Sequence, residues 1–235
     1  MMPKKLVVLS GAGMSAESGI KTFRESGGLW EEYKVEEVAS IEAWHRNPDL
    51  VQGFYNERRR QLETASPNAG HTGLAEMEKD FDVYIVTQNI DNLHERAGST
   101  KVVHLHGLLT RARSTDNPGE VIDIGYRDLL KGEKASDGSL LRPDIVWFGE
   151  AVPAMQEAAE IASLAEIFVV IGTSMNVYPA AGLIHYVPDA ARIFVIDPNP
   201  VPVWSHHKIE FISKGAGEGV AILAEKLNGL KGSWQ

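Results

Sequence analysis

The sequence predicts an α/β fold, a parallel sheet wound in the Rossmann-like manner with a smaller inserted lobe, and three observations carry that expectation. Short runs of consecutive β-branched and apolar residues recur at Leu6–Leu9, Val83–Thr87, Phe168–Ile171 and Ile193–Ile196, the pattern of strands covered on both faces. Helical patterns lie between them, and strands alternating with helices favour a parallel sheet. The first run ends directly in a glycine-rich turn, the position at which wound sheets bind ligands.

The length of 235 residues suits one domain, or one domain carrying an insertion. A chain of that size buries roughly 70–75% of its extended surface, ample for a core without staples. Apolar residues make up 43% and charged residues 23%, ordinary globular values that exclude wholesale disorder. Lys and Arg number 23 against 32 Asp and Glu, a net charge of −9, which argues against non-specific binding to nucleic acid or to an acidic membrane. The chain contains no cysteine. Disulfides, thiol nucleophiles and Cys-ligated zinc are therefore excluded, and a reducing, cytoplasmic setting is expected. The most apolar stretch, Ile167–Ile171, has only strand length. Lys4 and Lys5 before Leu6–Leu9 imitate a signal peptide, but four apolar residues are too few for one.

Between the strands, helices are expected at His71–Lys79, Met155–Ala165 and Ala180–Tyr186, and a closing amphipathic helix at Gly219–Leu227. Two regions break the alternation. Residues 34–66 are charged and helical in character, and residues 111–141 carry Gly, Asp, Ser and Lys with little periodicity. Both read as insertions forming the smaller lobe, with 1–33, 67–110 and 142–235 making the sheet domain.

Three motifs carry chemistry. Gly11-Ala12-Gly13-Met14-Ser15-Ala16 follows the first strand, and its glycines allow a tight turn whose N–H groups can approach a pyrophosphate. Thr22-Phe23-Arg24 and Gly27-Gly28-Leu29-Trp30 then place a cation and two aromatics in a glycine-hinged loop, suited to a flap over a phosphate-bearing ligand. Second, Gln88-Asn89-Ile90-Asp91-Asn92 crowds polar groups at a strand's carboxyl end, which costs desolvation unless they meet a ligand or cap a helix. Third, His104-Leu105-His106-Gly107 would place two histidines on one strand face. That spacing allows a metal site, but there is no cysteine and no obvious third ligand, and a single histidine acting as general base with a pKa near working pH is favoured.

Together with Trp147-Phe148-Gly149-Glu150 and Gly172-Thr173-Ser174, these blocks resemble the sirtuins, the NAD-dependent protein-lysine deacylases, in the same order over nearly the whole chain. The resemblance implies NAD as cofactor. Gly11, Ala12, Gly13 and Ala16, with Thr22, Phe23, Arg24 and Trp30, would hold it, Ala12, Gly13 and Arg24 at the diphosphate and Phe23 over the reacting ribose. Gln88, Asn89, Ile90 and Asp91 would line the nicotinamide and ribose pocket, Asn89 and Asp91 with catalytic roles, and His106 would be the general base. Gly172, Thr173, Ser174, Asp197, Pro198, Asn199 and Ala216 would surround the adenosine half. Asp197 departs from the family's usual Asn, and its carboxylate would disfavour a 2′-phosphorylated cofactor. Val146, Trp147, Phe148 and Gly149 would bind substrate, on an edge pairing with the extended peptide opposite 176–178. The implied products are free lysine, nicotinamide and 2′-O-acyl-ADP-ribose.

Tyr55 and Arg58 stand three apart and would share a helix face. The pair resembles the signature of sirtuins that remove succinyl or malonyl groups, Arg58 pairing with the distal carboxylate. Arg58-Arg59-Arg60 equally allows a solvated basic face, with Tyr55 packing on the core. Most sirtuins carry four zinc-binding cysteines in the small lobe. None occurs here, so no metal is expected and the fold of 111–141 is left open. The partners expected are acylated lysine side chains of proteins, not nucleic acid or membrane. Mono-ADP-ribosylation of protein and a non-catalytic NAD or ADP-ribose sensor are the alternative functions. The remaining histidines, His45, His71, His94, His185, His206 and His207, read as surface or packing residues.

Overall fold

A computed structural model describes residues 3–20, 33–202 and 208–230. In chain order the strands are β1 (Lys5–Ser10), β2 (Asp82–Thr87), β3 (Val102–His104), β4 (Gly107–Ser114), β5 (Val121–Asp123), β6 (Leu141–Ile145), β7 (Ile167–Ile171), β8 (Arg192–Ile196) and β9 (Ile209–Ile212). The helices are α1 (Gly13–Ala16), α2 (Val35–Val38), α3 (Ile41–Arg46), α4 (Pro48–Thr64), α5 (Ala69–Met77), α6 (Leu93–Ala97), α7 (Met155–Ser163) and α8 (Ala216–Leu230), with a 3₁₀ helix at Ala180–Tyr186.

Among the described residues six strands form a parallel sheet in the order β3-β2-β1-β7-β8-β9. Side chains alternate across it. Val7, Leu9, Val86, Phe168, Val170 and Val195 are buried under α7 and the 3₁₀ helix, while Leu6, Val8, Ile85, Val169, Ile171 and Phe194 are buried under α5 and α8. Both faces are thus dry, which is why each central strand reads as an unbroken apolar run. The expected strands and helices stand within a few residues of their predicted limits. Ala180–Tyr186 is wound more tightly than an α-helix, β3 ends at His104 rather than running on through His106, and the edge strand β9 was not expected. The order reverses between β1 and β7, and at such a switch point the carboxyl ends of the strands leave a crevice.

Residues 34–66 fold into α2, α3 and α4. Ser40 caps α3 by accepting the Ala43 N–H, and Asn47 caps α4 by accepting the Leu50 N–H, with Pro48 opening that helix. Residues 111–141, which lack sequence periodicity, contribute to a second, antiparallel sheet of order β5-β4-β6. This sheet runs from Gly107 to Ile145, past both ends of the 111–141 insertion. Residues 34–66 are bolted to the 107–145 segment: Arg59 donates to the Leu109 carbonyl at 2.7 Å, and Asn56 exchanges two 3.0 Å hydrogen bonds with the Leu129 backbone.

Without thiolates, the lobe is held by a polar hub and a small apolar cluster. The buried Ser114 hydroxyl lies 2.7 Å from both Asp137 and Ser139 and accepts the N–H groups of Asp116 and Asn117. Ala112, Ile124, Leu129 and Leu141 pack beside it. Treatment with EDTA should therefore leave the melting temperature unchanged, whereas Ser114→Ala, which strands several hydrogen-bonding groups, should lower stability by about 1–3 kcal/mol. Chemical denaturation of the two proteins checks this, and loss of stability on chelation would overturn it. No helix among the described residues is long and apolar enough to cross a membrane.

Candidate active site

The loops after β1, β2 and β7 meet at the switch point. The N–H groups of Gly11 and Gly13 donate to the carbonyls of Ile171 and Gly172, at 3.0 and 2.9 Å. These two donors are consumed within the protein and are not themselves free for a pyrophosphate. The glycines serve close packing instead. A Cβ on Gly11 would stand 2.7 Å from the Thr173 Cβ, and one on Gly13 would stand 2.7 Å from the Gly172 Cα. Ala12 is the partly exposed tip of the turn. Gln88 ties the second loop to the third by donating from Nε2 to the Thr173 hydroxyl at 3.1 Å.

His106 lies in the turn between β3 and β4 rather than on a strand face beside His104. Gly107, at φ +82° and against the Asp144 carbonyl, is required for that turn, since a side chain there would collide with the β6 backbone. The two histidines divide cleanly. His104 is engaged at both nitrogens, by the Asn89 carbonyl at 3.0 Å and by Glu95 at 2.7 Å. His106 contacts the Gln88 carbonyl through Nδ1 at 3.0 Å. A carbonyl can only accept, so Nδ1 carries the proton and the neutral ring presents Nε2 as a proton acceptor. Burial lowers the His106 pKa, with the Gln88 bond opposing. Among the described residues no group of three or more His, Asp or Glu is arranged to hold a metal ion.

Behind this face lies a buried polar network that sequence reasoning missed. The Ser15 hydroxyl donates to Asp91 at 2.9 Å and accepts from the Asn89 amide at 3.1 Å. His71 accepts the Asn68 N–H on Nδ1, leaving Nε2–H to face Ser15 at 3.5 Å. His94 stands edge-on to His71, with ring centroids 4.8 Å apart, and its Nε2 lies 3.1 Å from the Ser10 hydroxyl. Burial raises the Asp91 pKa, against the lowering effect of the Leu93 N–H and Ser15. Burial also lowers His71 to about 4 and His94 well below its ordinary value. His71 and His94 are thus packing residues, as the sequence suggested, but packing residues wired to Ser15 and Ser10. Their signal was slight: His71 is the third residue of a helix capped by Asn68.

These two rings make stability fall with acid. Above about pH 6.5 neither the folded nor the unfolded chain binds the protons; below it only the unfolded chain does, until His71 titrates at about 4. Each buried ring should therefore cost about 1.4 kcal/mol per pH unit over that window. Urea midpoints measured from about pH 7.5 to about pH 5 check it, and a constant midpoint would refute it.

In the lobe, Tyr55 and Arg58 both face the buried side of α4. The Tyr55 hydroxyl accepts the Trp147 indole N–H at 3.0 Å, which leaves its own proton to donate; burial pushes the phenol far above its ordinary value. Trp147 is fixed from behind by Arg142, whose guanidinium lies 3.5 Å from the ring and pairs with Glu150 at 2.7 Å. The basic run is not a solvated face. Arg59 is fully buried, Arg58 is 8% exposed, and only Arg60 reaches outward, to Asp128. Part of the edge expected to pair with a peptide is engaged within the protein. Phe148 exchanges backbone hydrogen bonds with Ala39 and Ile41, Val146 donates to His106, and Trp147 donates to Glu150. The Phe148 side chain remains half exposed.

Ser174 is exposed after β7, and Asp197, Pro198 and Asn199 follow β8, beyond β7 from the first turn. Asp197 accepts the Asn199 N–H at 2.8 Å. Ala216 is buried at the start of α8, and Ala16 and Ile90 are half-buried. Thr22, Phe23, Arg24 and Trp30, expected in the flap, lie outside the described residues.

Comparison with known proteins extends this geometry. The Sir2 family profile matches residues 11–179. An NAD-dependent protein deacylase of Bacteroides thetaiotaomicron is 55% identical over 229 residues, covering 95% of this chain and 98% of the relative. A solved Sir2 homolog–NAD complex superposes with TM-score 0.85 at 37% identity, covering 97% of this chain and 90% of that one. A Sir2 protein bound to acetylated peptide superposes with TM-score 0.80 at 28% identity, covering 96% and 94%.

Proposed function

We propose that this chain, which belongs to the Sir2 family and is an NAD-dependent protein deacylase, removes succinyl and malonyl as well as acetyl groups from protein lysines. NAD is its cofactor. The groups at the strand ends fit such a ligand: the amides of Gln88 and Asn89, the Asp91 carboxylate and the open Nε2 of His106 match an amide-bearing ring and ribose hydroxyls. Bound NAD supplies a sugar carbon from which nicotinamide departs and a hydroxyl that receives the acyl group.

The chain's own residues supply positioning and one proton acceptor. Asn89 and Asp91 hold the ligand from fixed positions, since Ser15 bonds both. His106 accepts a ribose hydroxyl proton on Nε2, its ring oriented by Gln88. Ala12, Ala16, Thr173, Ser174, Asp197 and Asn199 border the rest of the cofactor. Trp147 and Phe148 face the acylated lysine, the peptide resting on side chains where the backbone is already paired. A relative's complex with acetylated peptide supports a protein lysine substrate.

The acidic acyl preference rests on one observation: Arg58 is buried, yet its Nε has no hydrogen-bond partner among the described residues. A guanidinium kept out of water with an unfilled edge is suited to a carboxylate that arrives with the substrate. Matched acetyl-, succinyl- and malonyl-lysine peptides, assayed with NAD and with the nucleotide product identified by mass, test the reading. Comparable or better turnover of the acidic acyl groups supports it; turnover of acetyl-lysine alone defeats it.

A further inference from the structure

Arg58 is not idle in this structure. Its Nη2 lies 2.7 Å from Oε1 of Glu57, the preceding residue. We infer that Glu57 is a specificity-determining residue, an internal stand-in that holds Arg58 when no acidic acyl group is present and must yield when one binds. The inference rests on the acidic-acyl reading of Arg58 above.

Three features support it. Adjacent residues on a helix do not face each other, so Glu57 reaches Arg58 only by folding its side chain back, at a cost in rotamer freedom. The two partners are also unequal: the Arg58 side chain is 8% exposed and that of Glu57 42%. Beyond Arg58, Glu57 Oε1 accepts a long, exposed 3.4 Å bond from Gln61 Nε2, so it can swing into water cheaply, while Arg58 lies over the Phe54 ring, 5.2 Å from its centroid. Finally, Glu57 engages a single guanidinium nitrogen and leaves buried Nε unpartnered among the described residues. Carboxylates satisfy guanidinium groups best in pairs of hydrogen bonds. An acyl carboxylate using that edge would be repelled by a Glu57 that stayed, and would compete with it for Nη2. Acetyl-lysine carries no carboxylate and is indifferent to either.

Steady-state kinetics of Glu57→Gln and Glu57→Ala with succinyl- and acetyl-lysine peptides test the inference, with Arg58→Met as the reference. Removing a half-exposed ionic competitor should lower KM for the succinyl peptide about two- to fivefold in both Glu57 variants, with KM for the acetyl peptide and kcat for both unchanged. A succinyl KM that is unchanged or raised, while Arg58→Met still loses succinyl turnover selectively, overturns the role of Glu57 and leaves the reading of Arg58 standing. Equal effects of Arg58→Met on both peptides overturn that reading, and the role of Glu57 with it.

Discussion

His106→Tyr is expected to lower kcat/KM for NAD-dependent deacylation by about 10²–10⁴-fold, the usual contribution of a positioned general base. The chain should stay folded, because the ring sits in a turn fixed by Gly107 and makes one described hydrogen bond, to the Gln88 carbonyl. That bond is the reason for the size of the effect. It places the proton on Nδ1 and aims an unprotonated Nε2 outward, whereas a phenol offers a proton at neutral pH. The same environment determines the pH profile. Burial lowers the His106 pKa, and the base works only when neutral, so the acid limb of kcat/KM should fall below the ordinary histidine value of about 6.5. His106→Asn, smaller than Tyr, guards against a steric explanation and should lose both the activity and that acid limb. Turnover retained in either variant would remove His106 from the mechanism.

How much of this could be read in the sequence follows from where each signal resides. Central strands are covered on both faces, so Ile167–Ile171 is apolar at consecutive positions and was legible. β9 carries exposed Glu210 and Phe211 at a sheet edge, and its pairing depends on β8. The antiparallel sheet was hidden for another reason. Its polar residues are buried in ion pairs, Arg113 and Arg142 with Glu150, and look like loop residues in one dimension. In the site, Asn89, Asp91 and His106 sit in contiguous motifs, whereas the supports that make them rigid come from distant segments. Ser15, Asn68, His71 and His94 meet only after folding, and a buried imidazole cannot be told from a surface one without its partners. The pairing of Phe148 was hidden similarly: nothing near it signals that residues 39–41 will claim its backbone.

Arg58→Met should reduce kcat/KM for succinyl-lysine peptides about 10- to 100-fold while leaving acetyl-lysine within about twofold, since a hydrogen bond to a charged group contributes about 1.5–3 kcal/mol. Stability works in favour of this experiment. Arg58 is buried with an unpartnered Nε, so the folded chain already bears a desolvation cost that methionine removes. Methionine also keeps the unbranched stem that lies over Phe54. Glu57, half exposed, can hydrate once its partner is gone. The melting temperature should therefore hold or rise, and lost activity cannot be assigned to unfolding. Arg58→Lys separates charge from shape: an ammonium retains attraction but cannot grip a carboxylate in two parallel bonds, so its succinyl activity should fall between wild type and Met. If both peptides suffer equally in a variant that melts normally, Arg58 supports the wall of the pocket rather than reading the acyl group, and the preference must then come from Tyr55, whose hydroxyl proton the Trp147 bond leaves available.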